Sequence, residues 1–305
     1  MKAGTLQDWA ALARLPFHTV GVFPFILGSV LAWRETGAFN WPVILWGTLA
    51  VILIMAATYL AGEYYDYDVD TLSGKMEKNR FSGGSGVLQK GIMPRHYPLV
   101  ASIVSLGAAA AIGIVIQLVY RTGPLTIPMG AFGIVCGYFY STRPIRWSAR
   151  GVGEILIGIC YGWLTVATSY YLQTGIITPF VTLVSFPIGF TIFNVILINE
   201  FPDYPADMED GKKTLVVRFG KEKSAVFYML ASLGAWISYI LIAVAWPSFT
   251  ALYAGLPFLL LSVATTLEVA RGDWRRRENL ERICAKTIVI NLGLSAALIA
   301  AALIR

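Results

Sequence analysis

Apolar residues in this chain do not recur every third or fourth position, as on a half-buried helix; they form long unbroken runs separated by short polar segments. Nine runs are long enough to cross about 30 Å of hydrocarbon at about 1.5 Å per residue. They lie near 15–33, 42–62, 97–120, 124–140, 152–172, 177–199, 224–246, 248–268 and 284–304. The pattern predicts an all-α integral membrane protein of nine transmembrane helices in one domain, residues 1–305. No small-residue cleavage site follows the first run, so it is read as a retained helix.

Composition agrees. The 305 residues are 56% hydrophobic and 14% charged, with a mean hydropathy of +0.64. The net charge of +6 reflects topology, since 21 of 24 Lys and Arg, counting Lys286 at the start of the last span, fall at the N-terminus or in the loops after the even-numbered spans, and only Arg34, Arg121 and Arg305 lie on the other side. Basic residues resist translocation, so the N-terminus and these loops are expected on the cytoplasmic side of the cell membrane. No separate basic domain exists for nucleic acid to bind. Cys136, Cys160 and Cys284 are single and fall inside spans, and His18 and His96 lack a second nitrogen at ligand spacing. They are expected to be packing or interfacial residues, not a disulfide framework or a thiolate or imidazole metal site.

The chemistry concentrates at two apolar-run ends. GEYYDYDVD at 62–70 carries Glu63, Asp66, Asp68 and Asp70, and NEFPDYPAD at 199–207 carries Glu200, Asp203 and Asp207. A shift of 137 residues superposes Glu63, Asp66 and Asp70 on Glu200, Asp203 and Asp207. This implies an internal repeat with halves of about 1–140 and 141–305, whose clusters meet across a bundle. At about 100° per residue, Glu63, Asp66 and Asp70 share one face of a continuing helix while Asp68 points elsewhere. In the second copy Pro202 and Pro205 are expected to kink or unwind the chain. Carboxylates gathered at a membrane boundary repel one another unless a cation joins them. Oxygen-only sites suit Mg²⁺, which shares its remaining positions with water and substrate phosphates. Lys78, Arg80 and Lys212 follow the acids closely. A group held by metal on one side and by Lys or Arg on the other is a diphosphate.

With these motifs the sequence resembles the UbiA superfamily of intramembrane prenyltransferases, whose pattern is N-D-x-x-D-x-x-x-D in the first half and a related Asp-rich motif in the second. The resemblance extends to ARLP at 13–16, YSTRPIRWSARGVGE at 140–154, YYLQTG at 170–175 and DGKKTLVVRFG at 210–220. RGVGE, YYLQTG and GKKTL resemble most the menaquinone branch, which prenylates 1,4-dihydroxy-2-naphthoate, and KNRFSGGSGVLQKG lacks the N-R-P-x-R-P of several other branches. Gly62 stands where the family has Asn, and Glu63 and Glu200 stand where Asp is common.

The resemblance implies nine helices around a central cavity under cytoplasmic cap loops, an isoprenyl diphosphate donor, and two Mg²⁺ held by Glu63, Asp66, Asp70, Asn199, Glu200, Asp203 and Asp207. An aromatic or lipid acceptor captures the allylic cation, and the isoprenoid tail lies in membrane lipid. It further implies that Asp66, Asp70, Asp203 and Asp207, with Tyr140, are catalytic, and that Arg14 and Arg146 join the basic residues in binding diphosphate or acceptor. Tyr64, Tyr65, Tyr67 and Tyr138 are further candidates to face the cation. Other acceptors of the superfamily, 4-hydroxybenzoate or geranylgeranylglyceryl phosphate, remain alternatives. A secondary transporter with acidic cation sites is the rival from another class, but transporter sites sit near the midplane, whereas these acids end helices among basic loops.

Overall fold

A computed structural model describes residues 4–76, 83–246 and 250–304. The described residues form helices and connecting turns without strands. A short amphipathic helix, α1 (Leu6–Leu12), starts at a capping box between Thr5 and Asp8. A 3₁₀ turn then leads into α2 (Thr19–Thr36), which stops at Gly37 in the left-handed region. α3 (Trp41–Tyr65) is capped by Asn40 and followed by the shorter α4 (Tyr67–Lys75). α5 (His96–Leu118) returns along α3, and α6 (Thr126–Tyr138) packs beside both. α7 (Gly153–Ile157) runs through a π-helical stretch, Gly158–Leu164, into α8 (Thr165–Thr174). α9 (Pro179–Glu209), α10 (Leu215–Ala245), α11 (Thr250–Arg271) and α12 (Arg277–Leu303) complete the bundle.

Eight of these helical segments are long and apolar enough to cross a membrane. The ninth expected span is the 13-residue α6, about 20 Å long at 1.5 Å per residue. It is short because the chain turns at once: the Trp147 and Ser148 amides bond back to the Phe139 and Tyr140 carbonyls, folding 139–148 over the end of the bundle. α10 breaks at Gly220, whose φ of 79° and ψ of 161° no helix contains, leaving a one-turn start and a long span.

Two local expectations are corrected. α9 does not unwind at Pro202 and Pro205; it is one helix through both. Pro202 removes the amide that would bond the Ile198 carbonyl, and the Cys284 thiol of α12, 3.8 Å away, donates to that oxygen instead. Conversely, α3 and α4 are not one continuing helix, because Asp66 occupies the junction at φ −93°, ψ 9°. Cys136 of α6 and Cys160 of the π-helical stretch line the same apolar cavity as free thiols.

The main core packs α2, α8, α9, α10 and α12 around Leu27, Val184, Ile188, Tyr239 and Leu298. A second cluster ties α9, α10 and α12 through Ile198, Phe201, Tyr228 and Ile283. Small residues permit the closest approach: a Cβ on Gly162 would fall 2.5 Å from the Gly189 Cα, so the π-helical stretch lies directly on α9. That packing aims Tyr161 into the space enclosed by α2, α3 and α9.

Candidate active site

The segment from Arg14 to Val20, the end of α3, Asp70 of α4, Gly83, the turn at 140–148 and α9 from Ile192 to Asp207 line a cavity of about 230 Å³. Glu63, Asp66 and Asp70 line it from one side, and Asn199, Glu200, Asp203 and Asp207 from the other. Arg14, Tyr140 and Lys212 line it as well. Asp68 turns away; its side chain is 78% exposed and meets Arg95 at 3.4 Å. Lys78 and Arg80 lie outside the described residues.

Cations from separate loops converge on the carboxylates. Arg146, at 2.8 Å, and Lys212, at 3.6 Å, both reach Asp66; Lys212 also approaches Asp207 at 3.2 Å and Arg146 approaches Asp210 at 3.0 Å. Their two loops are joined, since Lys213 N–H donates to the Ala149 carbonyl and Arg218 Nη2 donates to the Arg150 carbonyl. Glu154 Oε1 accepts from the Leu215 amide at the start of α10. Burial opposes ionisation of Asp66, but Lys212 and Arg146 outweigh it and hold the carboxyl below its usual pKa. Asp70 has the opposite fate: burial, with repulsion from Asp66 and Glu63, pushes it up to about 7. Lys212 and Arg146 are both held charged by the acids despite burial, and burial beside Glu200 and Glu154 keeps the Tyr140 phenol protonated.

A glycine-rich strap crosses the cavity mouth. The Gly83 amide donates to Asp203 Oδ2 at 3.1 Å, and Ser85 donates from its amide and hydroxyl to Glu63, each at 2.8 Å. A Cβ on Gly84 would sit 2.2 Å from Asp70 Oδ2, so only glycine lets the strap lie this close. Ser73 of α4 donates to Asp203 at 2.6 Å, joining the two acidic clusters directly. Arg14 donates to the Gly83 carbonyl at 2.8 Å and stands 3.8 Å from Glu63. Sequence reasoning missed Ser73, Gly83, Gly84, Ser85, Glu154 and Asp210. The GGSG run at 83–86 was a usable signal, because adjacent glycines expose backbone amides to anionic groups.

The donor set suits a hard divalent cation. The cavity offers oxygen ligands throughout, and Asn199 Oδ1 and Glu200 Oε2 are buried without a hydrogen-bond donor. Among the described residues, no three acids already converge on one ion position. Residues so arranged fit ions that complete their coordination with substrate oxygens and water better than they fit an all-protein cage.

Beyond Tyr140, Tyr161 and Thr58, which line both spaces, lies a second cavity of about 110 Å³. Its walls are apolar, with Phe25, Met55, Met129 and Leu164 among them. A polar, carboxylate-lined chamber thus shares a wall of two tyrosines and a threonine with a greasy one.

The sequence profile of the UbiA prenyltransferase family matches residues 21–300. The chain is 30% identical over 225 residues to the chloroplastic 2-carboxy-1,4-naphthoquinone phytyltransferase of Arabidopsis thaliana, covering 71% of this chain but 56% of that protein. It is 26% identical over 234 residues to the 1,4-dihydroxy-2-naphthoate octaprenyltransferase of Escherichia coli, covering 75% and 74%. The Bacillus subtilis protein of the same name is 30% identical over 218 residues, covering 70% and 66%. Among solved structures, a UbiA homologue from Archaeoglobus fulgidus bound to DMAPP and Mg²⁺ superposes with a TM-score of 0.68 at 16% identity, covering 96% of this chain and 99% of that one. A digeranylgeranylglyceryl phosphate synthase does so with a TM-score of 0.68 at 15%, covering 97% and 98%. By profile and by architecture, this chain belongs to the UbiA prenyltransferase family.

Proposed function

We propose that the protein transfers a polyprenyl group from an allylic diphosphate to an aromatic quinone precursor, a dihydroxynaphthoate, in a reaction that requires Mg²⁺. The observation carrying this reading is that both acidic clusters, Arg146 and Lys212 line or reach one buried cavity that adjoins an apolar one. Its wording and its naphthoate-prenylating relatives favour this acceptor over the others.

The carboxylates Asp66, Asp70, Asp203 and Asp207, with Glu63, Asn199 and Glu200, would hold the metal, and two Mg²⁺ bound there would neutralise the diphosphate as a leaving group. Arg146 and Lys212 exchange part of their contact with Asp66 for diphosphate oxygens. Each stays cationic at every working pH and offers several N–H donors. The strap closes the cavity against water, which would otherwise capture the allylic cation. Tyr140 stays neutral and faces the junction of the two cavities, where its ring steadies the cation. The first isoprene units lie in the apolar cavity. Arg14, beside Tyr59 with its guanidinium carbon 5.9 Å from the ring centroid, receives the acceptor's carboxylate.

The test is a reconstituted assay with a labelled allylic diphosphate, Mg²⁺ and separate acceptors: dihydroxynaphthoate, 4-hydroxybenzoate and geranylgeranylglyceryl phosphate. Prenylated naphthoate as the main product supports the reading. Product from another acceptor alone reassigns the branch, and ion movement without any prenyl product rejects the enzyme.

A further inference from the structure

Behind the acidic cavity, on the opposite side of the same turn of α9, the surface holds a second polar cavity of about 420 Å³. Three cations, Lys221, Arg275 and Arg277, surround it with one anion, Glu222. Its remaining walls are Pro202, Trp274 and Leu280. Arg275 lies 4.6 Å over the Trp274 ring and 3.6 Å from Glu222, and Lys221 lies 5.3 Å over Tyr204. Trp274 is itself buried, edge-on to Phe201 at 5.2 Å.

Topology alone explains basic residues at this end of the bundle. It does not explain why three of them ring one recess against the buried Trp274 and Leu280, with the Arg275 guanidinium standing over the indole. The recess lies between α9, the first turns of α10, the turn at 273–275 and the start of α12, and indole rings and phospholipid headgroups share the membrane–water interface. Cations against an apolar wall match a ligand with an anionic phosphate and the beginning of a hydrocarbon chain.

We infer that this recess binds the headgroup of an anionic phospholipid, its phosphate between Lys221, Arg275 and Arg277 and its glycerol end against Trp274 and Leu280. The site is separate from the reaction cavity, yet Pro202 lines the recess while Asp203 lines the cavity. An occupied recess therefore braces the turn of α9 that presents the second acidic cluster. The proposal does not depend on which reaction the protein performs.

The test uses the full chain, delipidated in neutral detergent and titrated with phosphatidylglycerol or phosphatidylcholine, with bound lipid counted by native mass spectrometry. Phosphatidylglycerol is expected to bind at least about tenfold more tightly. Removing a cation near a headgroup is worth roughly fivefold, so Arg275→Gln with Arg277→Gln should weaken it about 25-fold. The single variant Lys221→Gln should weaken it about fivefold and guards against misfolding of the double variant, whose melting temperature in detergent is measured alongside. Lys90→Gln with Arg143→Gln removes equal charge from exposed positions elsewhere and should change nothing. Equal binding of the two lipids, or the same loss in the control pair, overturns the site. Complete displacement of the lipid by millimolar inorganic phosphate also overturns it, in favour of a free-anion site.

Discussion

The two acidic clusters carry the same spacing on unlike backbones. The first straddles a helix break: Glu63 ends α3, Asp66 sits in the junction, and Asp70 belongs to α4. The second lies on one element, with Glu200, Asp203 and Asp207 on the uninterrupted α9. The first is tethered by contacts to other segments, Ser85 on Glu63 and Arg146 with Lys212 on Asp66. The second draws on α4 and the strap through Ser73 and Gly83. The same spacing therefore sits on a broken backbone in one case and on a continuous helix in the other, with Lys212 reaching Asp66 in the first cluster and Asp207 in the second.

If both halves act on one diphosphate, chelation should have the largest effect. EDTA is expected to reduce prenyl product to background, and Mg²⁺ to restore it; full turnover in metal-free buffer would end the reading. Next, Asp66→Asn and Asp203→Asn should each lower kcat by about 10³-fold, with the double variant little worse than either, as for groups acting as a unit. If one single variant keeps near-normal turnover, the two halves are not equivalent and that cluster is not a metal site. Gly84→Ala sharpens the contrast, since its new Cβ would meet Asp70 at 2.2 Å and displace the strap from the first cluster. We expect about a tenfold rise in the Mg²⁺ concentration for half-maximal activity, with little change in melting temperature.

Protons should distinguish residues within the first cluster. Asp70 keeps its proton to about pH 7 in the metal-free fold but only to its usual 3.8 when unfolded. Between those values the folded state binds the extra proton, so stability from this group falls as pH rises through the window. Asp66, with a lowered pKa, contributes stability above 3.8 that is lost as pH falls below it. Melting temperature in chelator should decline from pH 5 to pH 8, and Asp70→Asn should flatten the decline. Mg²⁺ binding at pH 6 should release protons, about one of them from Asp70, measurable by calorimetry in buffers of different ionisation enthalpy.

The smallest expected effect concerns α9, which carries the second cluster. Cys284→Ala leaves the Ile198 carbonyl, freed by Pro202, without its thiol donor. The loss should be about 1 kcal/mol or less, as for one weak hydrogen bond, and Cys284→Ser should recover it. A large loss of activity in Cys284→Ala would mean that the placement of the second acidic cluster depends on this single contact.

Long apolar runs bounded by polar segments determined the helical membrane architecture, because hydrocarbon tolerates backbone only when every amide is bonded within its own segment. The acids were legible for a similarly local reason: so many carboxylates at the ends of apolar runs have no packing role, and their spacing repeats. What the sequence could not determine was anything that depends on a neighbour distant in the chain. The donor that replaces the missing Pro202 amide at the Ile198 carbonyl is a thiol on α12, and whether α6 spans fully was decided by the turn at 139–148. Only the tertiary structure brought Gly83, Gly84 and Ser85 onto carboxylates from both halves. It likewise set Arg146 and Lys212 on one Asp66, and so split the pKa values of two aspartates four residues apart in opposite directions. Electrostatic environment is a sum over neighbours in space, and sequence spacing fixes those neighbours only within a single helix.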